Sequence, residues 1–356
     1  EVNNSWFCYD CIGCNDCFGC TGLRNQQYYI FNKKYSKEEY KKIMQEWNMG
    51  SYEKMKEAEK EFHKKMLNHP LRGNIILHST NAIGDYISDS KDIYESFDIE
   101  KTDTARYSWG VEYARDIYDS DFIYYGENCY ENISNSKSTN ITFSFGIWTG
   151  AYDLSYCMLC VNNSHNSFGS ISLKQKKFCI LNKEYEPKEY WQLLLKIKNH
   201  MKKTGEYGEF FPASMSFFGY NETVAQDYFP LTKEQAKAKN FNWHDEQKIS
   251  NEKRAVMVPD DICDASDAVL NEIYSCFDCK KFYKIILQEL KIYRFARIPL
   301  PRKCPNCRHL DRMKRRNPRK IFDRICTKCH VKIQSSYPSE RPEKIYCEKC
   351  YLEAVY

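Results

Sequence analysis

Isoleucine and serine recur at a constant spacing along the middle of the chain. The stretches 92–99, 116–123 and 140–147 lie 24 residues apart. Residues 90–147 also suggest alternation in period two and are rich in Tyr, Thr, Ser and Phe, which favours strands over helices. The equivalent positions form three columns: Ile75, Ile99, Ile123, Ile147 and Ile171; Ile93, Ile117 and Ile141; and Ser96, Ser120 and Ser144.

Stacked coils of a β-solenoid place equivalent side chains directly above one another, and one coil takes roughly 20–25 residues. The columns therefore predict a parallel β-solenoid with about 24 residues per coil. A second, longer repeat supports two such modules, because residues 17–40 realign without gaps on residues 167–190. Identical pairs include Phe18/Phe168, Gly19/Gly169 and Tyr40/Tyr190.

Helices are predicted after each module. Ser36 and Glu39 form a capping box that opens a helix over 37–48, and 52–67 gives another. Pro187 begins a third helix and Gly205 ends it. The fold class is thus mainly β with helical caps, followed by two small α+β zinc-binding modules. The predicted domains are 1–35, the end of a first solenoid; 36–72, capping and linker helices; 73–185, the second solenoid; 186–258, a helical and aromatic cap; 259–320, a first zinc module; and 321–356, a second zinc ribbon.

Eight of the 18 cysteines form four Cys-x-x-Cys pairs near the C-terminus. Two such pairs complete a tetrahedral S₄ shell, the preferred structural zinc site. Pairing in sequence order predicts two zinc ions that hold structure, since no position remains for a catalytic water; an interleaved pairing is the alternative. His309 and His330 lie beside these sites in the sequence, and they are not expected to be ligands. The predicted ligands are Cys276, Cys279, Cys304 and Cys307, then Cys326, Cys329, Cys347 and Cys350.

Positive charge is concentrated in the same C-terminal part of the chain, although the net charge of the whole chain is only +5. A helix from the Cys304/Cys307 pair to about Arg316 would present a basic surface within residues 302–324, which suits the phosphate backbone of RNA or DNA. Docking on an acidic solenoid, in the same chain or another, and a plain solvated face are the alternatives. The candidate nucleic-acid-binding residues are Arg308, Arg312, Lys314, Arg315, Arg316, Arg319 and Lys320.

The N-terminus carries a ladder of cysteines at every third position: Cys8, Cys11, Cys14, Cys17 and Cys20. The first spacings resemble a ferredoxin motif, but the fourth cysteine comes too early and no proline follows it. In the 150-residue repeat, Cys17 and Cys20 fall on Ser167 and Ser170. The ladder is therefore predicted to be solenoid packing, with a metal site or disulfides as alternatives.

Several phrases of the sequence resemble Cys- and Tyr-rich proteins of unassigned function from small-genome candidate-phylum bacteria. They are "FGCTGLRNQQYYIFNKKYSKEEY", "FFPASMSFFGYNETVAQDYFPLTKEQA", "LPRKCPNCRHLDRMKRRNPRK" and "RPEKIYCEKCY". The segment 276–308 is similar to a zinc-ribbon, treble-clef-like module, and the last Cys pair resembles a small zinc ribbon. A glycine common after the first knuckle is replaced by Lys280 and by His330. The resemblance implies a bacterial origin and an architecture of a β-solenoid-like repeat region followed by zinc-ribbon modules.

These patterns predict a non-enzymatic zinc-binding protein whose basic C-terminal modules bind nucleic acid or a ribonucleoprotein. The alternative is a structural or assembly protein that uses the Tyr-rich solenoid faces for a protein partner or for self-association. An enzyme with a carbohydrate-active site on the solenoid is a disfavoured alternative, because the acids Asp103, Glu112 and Asp116 have no spacing that forces two carboxylates together. Clustered Cys-x-x-Cys pairs indicate a reducing compartment, the cytoplasm, and no apolar run is long enough to span a membrane.

Overall fold

The computed structural model describes residues 1–137, 139–245 and 256–355. Strands make up 33% and helices 27%, so the chain is mainly β, as predicted. Residues 246–255 of the predicted 186–258 cap lie outside the described residues, as do residue 138 of the 73–185 module and residue 356 of the last module.

The N-terminal part is a small sheet followed by helices. Its strands are parallel except for the last, which forms an antiparallel hairpin with the strand before it. The capping box predicted at Ser36 and Glu39 is confirmed, with the Glu39 N–H donating to Ser36 Oγ over 3.2 Å. The elements are β1 (Val2–Asn3), β2 (Cys14–Phe18), β3 (Gln27–Ile30), β4 (Lys33–Lys34), α1 (Lys37–Trp47), α2 (Tyr52–Met66) and β5 (Leu71–Arg72).

The central part is one long sheet in which neighbouring strands are parallel, closed by one antiparallel strand at its C-terminal edge. Its strands are β6 (Ile76–Leu77), β7 (Thr80–Ser88), β8 (Lys91–Glu100), β9 (Asp103–Arg106), β10 (Trp109–Glu112), β11 (Arg115–Tyr124), β12 (Glu127–Ser136), β13 (Thr139–Ile147), β14 (Tyr152–Ser155), β15 (His165–Phe168), β16 (Lys177–Ile180) and β17 (Lys183–Glu184).

The register between neighbouring strands is half of the 24-residue spacing seen in the sequence. Residues paired between β11, β12 and β13 are 12 apart, as in Ile117 with Cys129 and Cys129 with Ile141. The 24-residue spacing arises because large and small buried side chains alternate between successive strands. One such buried column is Ile93, Ala105, Ile117, Cys129 and Ile141, and another is Ile99, Val111, Ile123, Asn135 and Ile147.

The period along each strand is three, so the predicted period of two is wrong. In β8 the buried side chains include Ile93, Ser96 and Ile99, and the residues just before them, such as Asp92 and Asp98, have positive φ angles near 55°. A left-handed residue turns the chain after each short extended step, which brings every third side chain to the interior. Alternation in period two belongs to a continuously extended strand, which this backbone is not.

Buried polar side chains at one inward position complete the hydrogen bonding between strands. The Asn132 N–H donates to Ser120 Oγ over 3.1 Å, and the Ser120 hydroxyl donates to the Tyr118 carbonyl over 2.7 Å. The same main-chain N–H to side-chain bond, 12 or 13 residues apart, recurs at successive strands. The column consists of Ser96, Ser108, Ser120, Asn132, Ser144 and Cys157.

The N-terminal cysteine ladder has the same role in the first sheet. Cys14, Cys17 and Cys20 are fully buried together. Cys20 Sγ accepts the Asn32 N–H at 3.4 Å, just as Ser170 Oγ accepts the Asn182 N–H at 3.1 Å in the repeated module. These contacts agree with the predicted packing role of the ladder.

The C-terminal elements follow the central sheet. The predicted helix start at Pro187 and stop at Gly205 are confirmed, and α3 packs its buried Tyr190 and Leu194 against Phe168 and Ile180. The helices are α3 (Pro187–Thr204), α4 (Ala225–Tyr228), α5 (Lys233–Ala238), α6 (Leu287–Ala296), α7 (Pro305–Met313) and α8 (Glu348–Val355). The strands are β18 (Tyr274–Ser275), β19 (Phe282–Tyr283), β20 (Phe322–Ile325), β21 (Lys332–Ser335) and β22 (Ile345–Tyr346).

We predict that Ser120→Ala destabilises the fold by about 1–3 kcal/mol, because it leaves the buried Asn132 N–H without an acceptor. The loss should appear in the free energy of unfolding measured with denaturant. Ser120→Cys should cost less, since cysteine occupies the same column at Cys157. Ser172→Ala changes an exposed serine and is the control. Equal stability of Ser120→Ala and Ser172→Ala would contradict the role of the column.

Candidate metal centres and an apolar groove

The first cysteine cluster joins a β-hairpin to the start of a helix. Cys276 and Cys279 lie in the turn between β18 and β19, which pair antiparallel. Cys304 is the N-cap of α7, and Cys307 lies in its first turn. The two pairs meet although α6 separates them in sequence, and the sequence-order pairing is confirmed.

The four sulfur atoms fit a tetrahedral metal ion. They all lie within 4.8 Å of one another, and Cys279 Sγ is 3.7 Å from Cys304 Sγ. A metal–sulfur bond of about 2.3 Å puts the corners of a tetrahedron about 3.8 Å apart. The Cys304 N–H also points at Cys276 Sγ over 3.3 Å, which favours a thiolate. This donor set therefore fits one metal ion.

The second cluster repeats this geometry. Cys326, Cys329, Cys347 and Cys350 form the group, with Cys329 Sγ and Cys347 Sγ again 3.7 Å apart. The Cys347 N–H donates to Cys326 Sγ over 3.3 Å. The hairpin is β20–β21, and Cys350 lies in α8, so this module contains both a hairpin and a helix, as the predicted α+β class requires.

The residue after each first knuckle takes a left-handed conformation, with φ of 60° at Lys280 and 61° at His330. These are the positions where glycine was expected from the resemblance. The Lys280 N–H still reaches the Cys276 carbonyl, and the His330 N–H reaches the Cys326 carbonyl. The tight turn is therefore kept without glycine.

Main-chain N–H groups lower the pKa of the first cysteine in each cluster. Burial raises the pKa of Cys276, but hydrogen bonds from the main-chain N–H groups of Cys304, Cys279 and Asp278 outweigh it and lower the pKa to about 6. The same balance lowers the pKa of Cys326 to about 6. Metal ligation requires the deprotonated thiol, so both environments suit a bound cation.

Much of the predicted basic surface has partners inside the molecule. Arg308 pairs with Glu289 over 2.7 Å, and Arg315 pairs with Glu59 of α2. Arg319 lies over the Trp109 ring at 3.5 Å from its centroid and pairs with Asp98 at 3.5 Å. Burial lowers the pKa of Arg319. This segment thus connects the first metal module to the central sheet. That contact agrees with the alternative in which the basic surface docks within the same chain.

The remaining predicted cations lie closer to solvent. Arg316 Nη1 donates to the Tyr228 hydroxyl over 2.8 Å, and Lys314 lies 3.8 Å from Asp311. Arg312 and Lys320 are exposed, with Lys320 near the Phe322 ring. The seven residues are therefore divided between internal contacts and a smaller exposed group. Of the two histidines, His309 contacts Asp227 over 2.7 Å.

The second metal module contacts both sheets. Its Tyr351 hydroxyl donates to Asp10 over 2.6 Å in the N-terminal sheet, and its Ser336 hydroxyl donates to the buried Asp85 of β7. Strand β22 pairs with β5, which lies between the two sheets in sequence. Folding of this module therefore fixes how the N-terminal sheet sits against the central one.

An apolar groove runs along the outside of the central sheet. Its floor is one column of aligned residues, and its opposite wall is the aromatic segment 210–229. The groove has a volume of about 1210 Å³. Several wall residues are exposed, including Phe217 at 70% and Phe229 at 68%. The floor column is Phe97, Trp109, Asp121, Ile133, Phe145 and Met158. The sequence predicted an irregular cap here and missed the groove, because the floor residues are 12 or 13 apart.

The carboxylates considered for an enzyme site do not form a cluster of metal ligands. Asp103 pairs with Lys91 over 3.2 Å, and Asp116 occupies a left-handed turn position. Among the described residues, the two cysteine groups alone have metal-ligand spacing. No helix in that part of the chain is long and apolar enough to cross a membrane.

Metal analysis tests the centres directly. We predict about two metal ions per wild-type chain and about one for Cys304→Ser, because that substitution removes one ligand of a four-sulfur shell. Cys263→Ser changes an exposed cysteine outside both groups and should retain two ions. An unchanged metal content in Cys304→Ser would contradict the assignment.

The groove also predicts a pH dependence of stability. Burial raises the pKa of Asp121 to about 6, although Trp109 and Arg319 oppose the shift. The pKa of aspartate in the unfolded chain is about 3.9, so between about pH 4 and pH 6 the folded state binds the proton more tightly than the unfolded state does. The free energy of unfolding therefore falls as pH rises through this range. Asp121→Asn should therefore raise the melting temperature above pH 6 and change it little below pH 4.

The measurement is a series of thermal melts across that pH range. Asp116→Asn makes the same substitution on the same strand outside the groove and is the matched control. A lower melting temperature of Asp121→Asn at pH 7 would show that the ionised carboxylate stabilises the fold.

Comparisons with protein-family models, with curated proteins and with solved structures gave no match to this chain. The resemblance to Cys- and Tyr-rich proteins of candidate-phylum bacteria therefore stays a prediction. What the molecule does has to follow from its own surfaces and centres: two four-cysteine groups suited to metal, a basic segment engaged internally, and an open apolar groove.

Proposed function

We propose that the chain is a non-enzymatic zinc-binding scaffold that binds another polypeptide. The groove between the central sheet and segment 210–229 carries this proposal, because it exposes large aromatic side chains such as Phe217 and Phe218. Contiguous exposed apolar surfaces of this kind mark interaction sites in folded proteins. The alternative assembly function considered from the sequence is thereby favoured over the nucleic-acid function.

Zinc is the proposed ion at both centres. Four thiolates at tetrahedral spacing are its preferred structural shell, and such a shell leaves no coordination position for water or substrate. Zinc would therefore hold each hairpin against its helix. Tetrathiolate sites and the buried free thiols of the ladder also fit a reducing compartment such as the cytoplasm.

The central sheet is proposed to be a solenoid with a 12-residue coil. Its support is the parallel register of 12 residues and the inward side chain at every third position. Such a coil would have short sides of three residues each, with a left-handed residue at each corner. Stacked coils of this kind present straight columns of side chains on their outer faces, and the groove floor is one such column.

Nucleic-acid binding is the second candidate. It is supported by the exposed Arg312, Lys314 and Lys320, which extend from α7 into the following loop. The internal partners of Arg308, Arg315 and Arg319 reduce the number of cations that could contact phosphates at the same time. Each phosphate contact contributes to the salt dependence of binding, so a weak slope is expected.

A capture experiment with the full chain separates the two candidates. The wild-type protein, a Phe217→Ser/Phe229→Ser groove variant and an Arg312→Ala/Lys314→Ala variant are used as baits in the native lysate, with and without nuclease. Lys320 is left unchanged because it also lines the groove. We predict polypeptides that survive nuclease and are lost from the groove variant. Binding that nuclease abolishes, and that the Arg312/Lys314 variant alone loses, would overturn the scaffold proposal in favour of nucleic acid.

Zinc identity is tested on the same preparation. Elemental analysis should find zinc in both centres, and chelation should lower the melting temperature, because metal binding stabilises the folded modules. Iron in place of zinc would contradict the proposed ion while leaving the groove unaffected.

A further inference from the structure

Helix α6 of the first metal module has a second apolar surface that no described residue covers. We call it the α6 face, and its residues share one side of the helix. Phe295 is 93% exposed and Ile292 is 60% exposed, whereas Leu290 and Tyr293 on the opposite side are buried. The α6 face consists of Leu287, Gln288, Lys291, Ile292 and Phe295.

The charge on and beside the α6 face is positive. Lys291 lies on the face, and the exposed Lys284 comes just before the helix. The acid of this helix, Glu289, points away and pairs with Arg308, while Arg294 pairs with Asp267. The face is therefore an amphipathic helix surface with exposed aromatic and aliphatic anchors and a basic border.

One border of the groove has the complementary charge, whereas Arg319, paired with Asp98, and Lys320 line another part of it. The acidic border lies in the column two residues before each floor residue, as Glu131 lies two residues before Ile133, and it includes Glu209 next to the wall residue Phe210. Burial raises the pKa of Glu131, and the nearby charges of Asp119 and Glu209 raise it further. None of these rim acids forms an ion pair in the part of the chain that the structure describes. The acidic rim consists of Glu95, which lines the groove, and of Asp119, Glu131 and Glu209, which lie beside it.

The dimensions of the two surfaces also agree. The floor from Phe97 to Met158 crosses five strand-to-strand steps, about 24 Å at about 4.8 Å per step. A helix of the length of α6, 10 residues, is about 15 Å long and about 10 Å wide. An amphipathic helix that lays its apolar face into such a groove is a recurring mode of polypeptide recognition.

We propose that the apolar groove of one molecule binds the α6 face of a second copy of the chain. This inference rests on the proposed polypeptide-binding function and names its partner. Phe295 would enter between the groove floor and the aromatic wall, and Lys291 would meet the acidic rim. Because different surfaces meet, the contact is head-to-tail, and it builds rings or open chains rather than closing as a symmetric dimer.

Sedimentation velocity of the purified, metal-loaded full chain tests this contact. We predict association that grows with protein concentration and weakens with salt. Phe295→Ser and the groove-floor variant Ile133→Ser should each weaken association by about tenfold or more, as truncation of a central anchor does. Leu195→Ser changes an exposed leucine of α3 outside both surfaces and should associate as wild type does. Unchanged metal content and melting temperature show that each variant is folded.

Charge reversal gives the decisive experiment. Lys291→Glu and Glu131→Lys should each remain monomeric alone, since like charges then face each other across the contact. An equimolar mixture should associate, because each helix face again meets a groove rim of opposite charge. A mixture that stays monomeric overturns the proposal, as does association that depends on Phe295 but not on Ile133.

A wild-type chain that stays monomeric at every concentration also overturns this inference. The scaffold proposal would then be judged by the capture experiment alone, where a different polypeptide lost from the Phe217/Phe229 variant would still support it. Failure of both experiments would remove the groove as a polypeptide site.

Discussion

A hydrogen bond from a main-chain N–H to an inward side chain 12 residues earlier underlies the central sheet. Every third residue adopts a left-handed conformation, which costs about 1–2 kcal/mol for an ordinary residue. The sheet offsets this cost by burying the side chain after each left-handed residue. In one inward column the main-chain N–H of that next residue also has a side-chain acceptor, as Ser120 provides for Asn132. Inward positions in this column are therefore small and able to accept hydrogen bonds. That requirement explains why serine, asparagine and cysteine replace one another there, and why Cys20 matches Ser170 in the repeated module.

The metal modules depend on the sheets as much as the sheets depend on them. Each four-cysteine group joins a short hairpin to the first turn of a helix, and the first module also buries a hydrophobic core that includes Tyr274, Leu290 and Leu300. The second module then connects the N-terminal sheet, through Asp10, to the central sheet, through Asp85. The first module reaches the central sheet through Arg319. Both metal modules thus contact the central sheet, and the second also contacts the N-terminal part of the chain.

Composition alone does not distinguish charges that are paired inside the molecule from charges that face solvent. Part of the basic segment is neutralised by acids of the same chain, at Glu59, Glu289 and Asp98. The acidic rim of the groove and the basic α6 face, in contrast, keep their charges toward solvent. An excess of positive charge in one segment therefore does not identify its partner, because internal pairing must be subtracted before a surface can be assigned.

The sequence by itself determined the helix ends at Ser36, Pro187 and Gly205, the parallel stacking of repeated strands, and which cysteines come together in each four-cysteine group. These features follow from local hydrogen bonding and from short, fixed spacings, which any fold must respect. It misjudged the strand register because isoleucine alternates with smaller residues in successive strands, so the repeat visible in the sequence is twice the 12-residue register. The engagement of Arg319 on Trp109 and the groove above the column of Ile133 were decided only by the tertiary structure. Both depend on residues distant in sequence that a 12-residue register aligns, and no local pattern records that alignment.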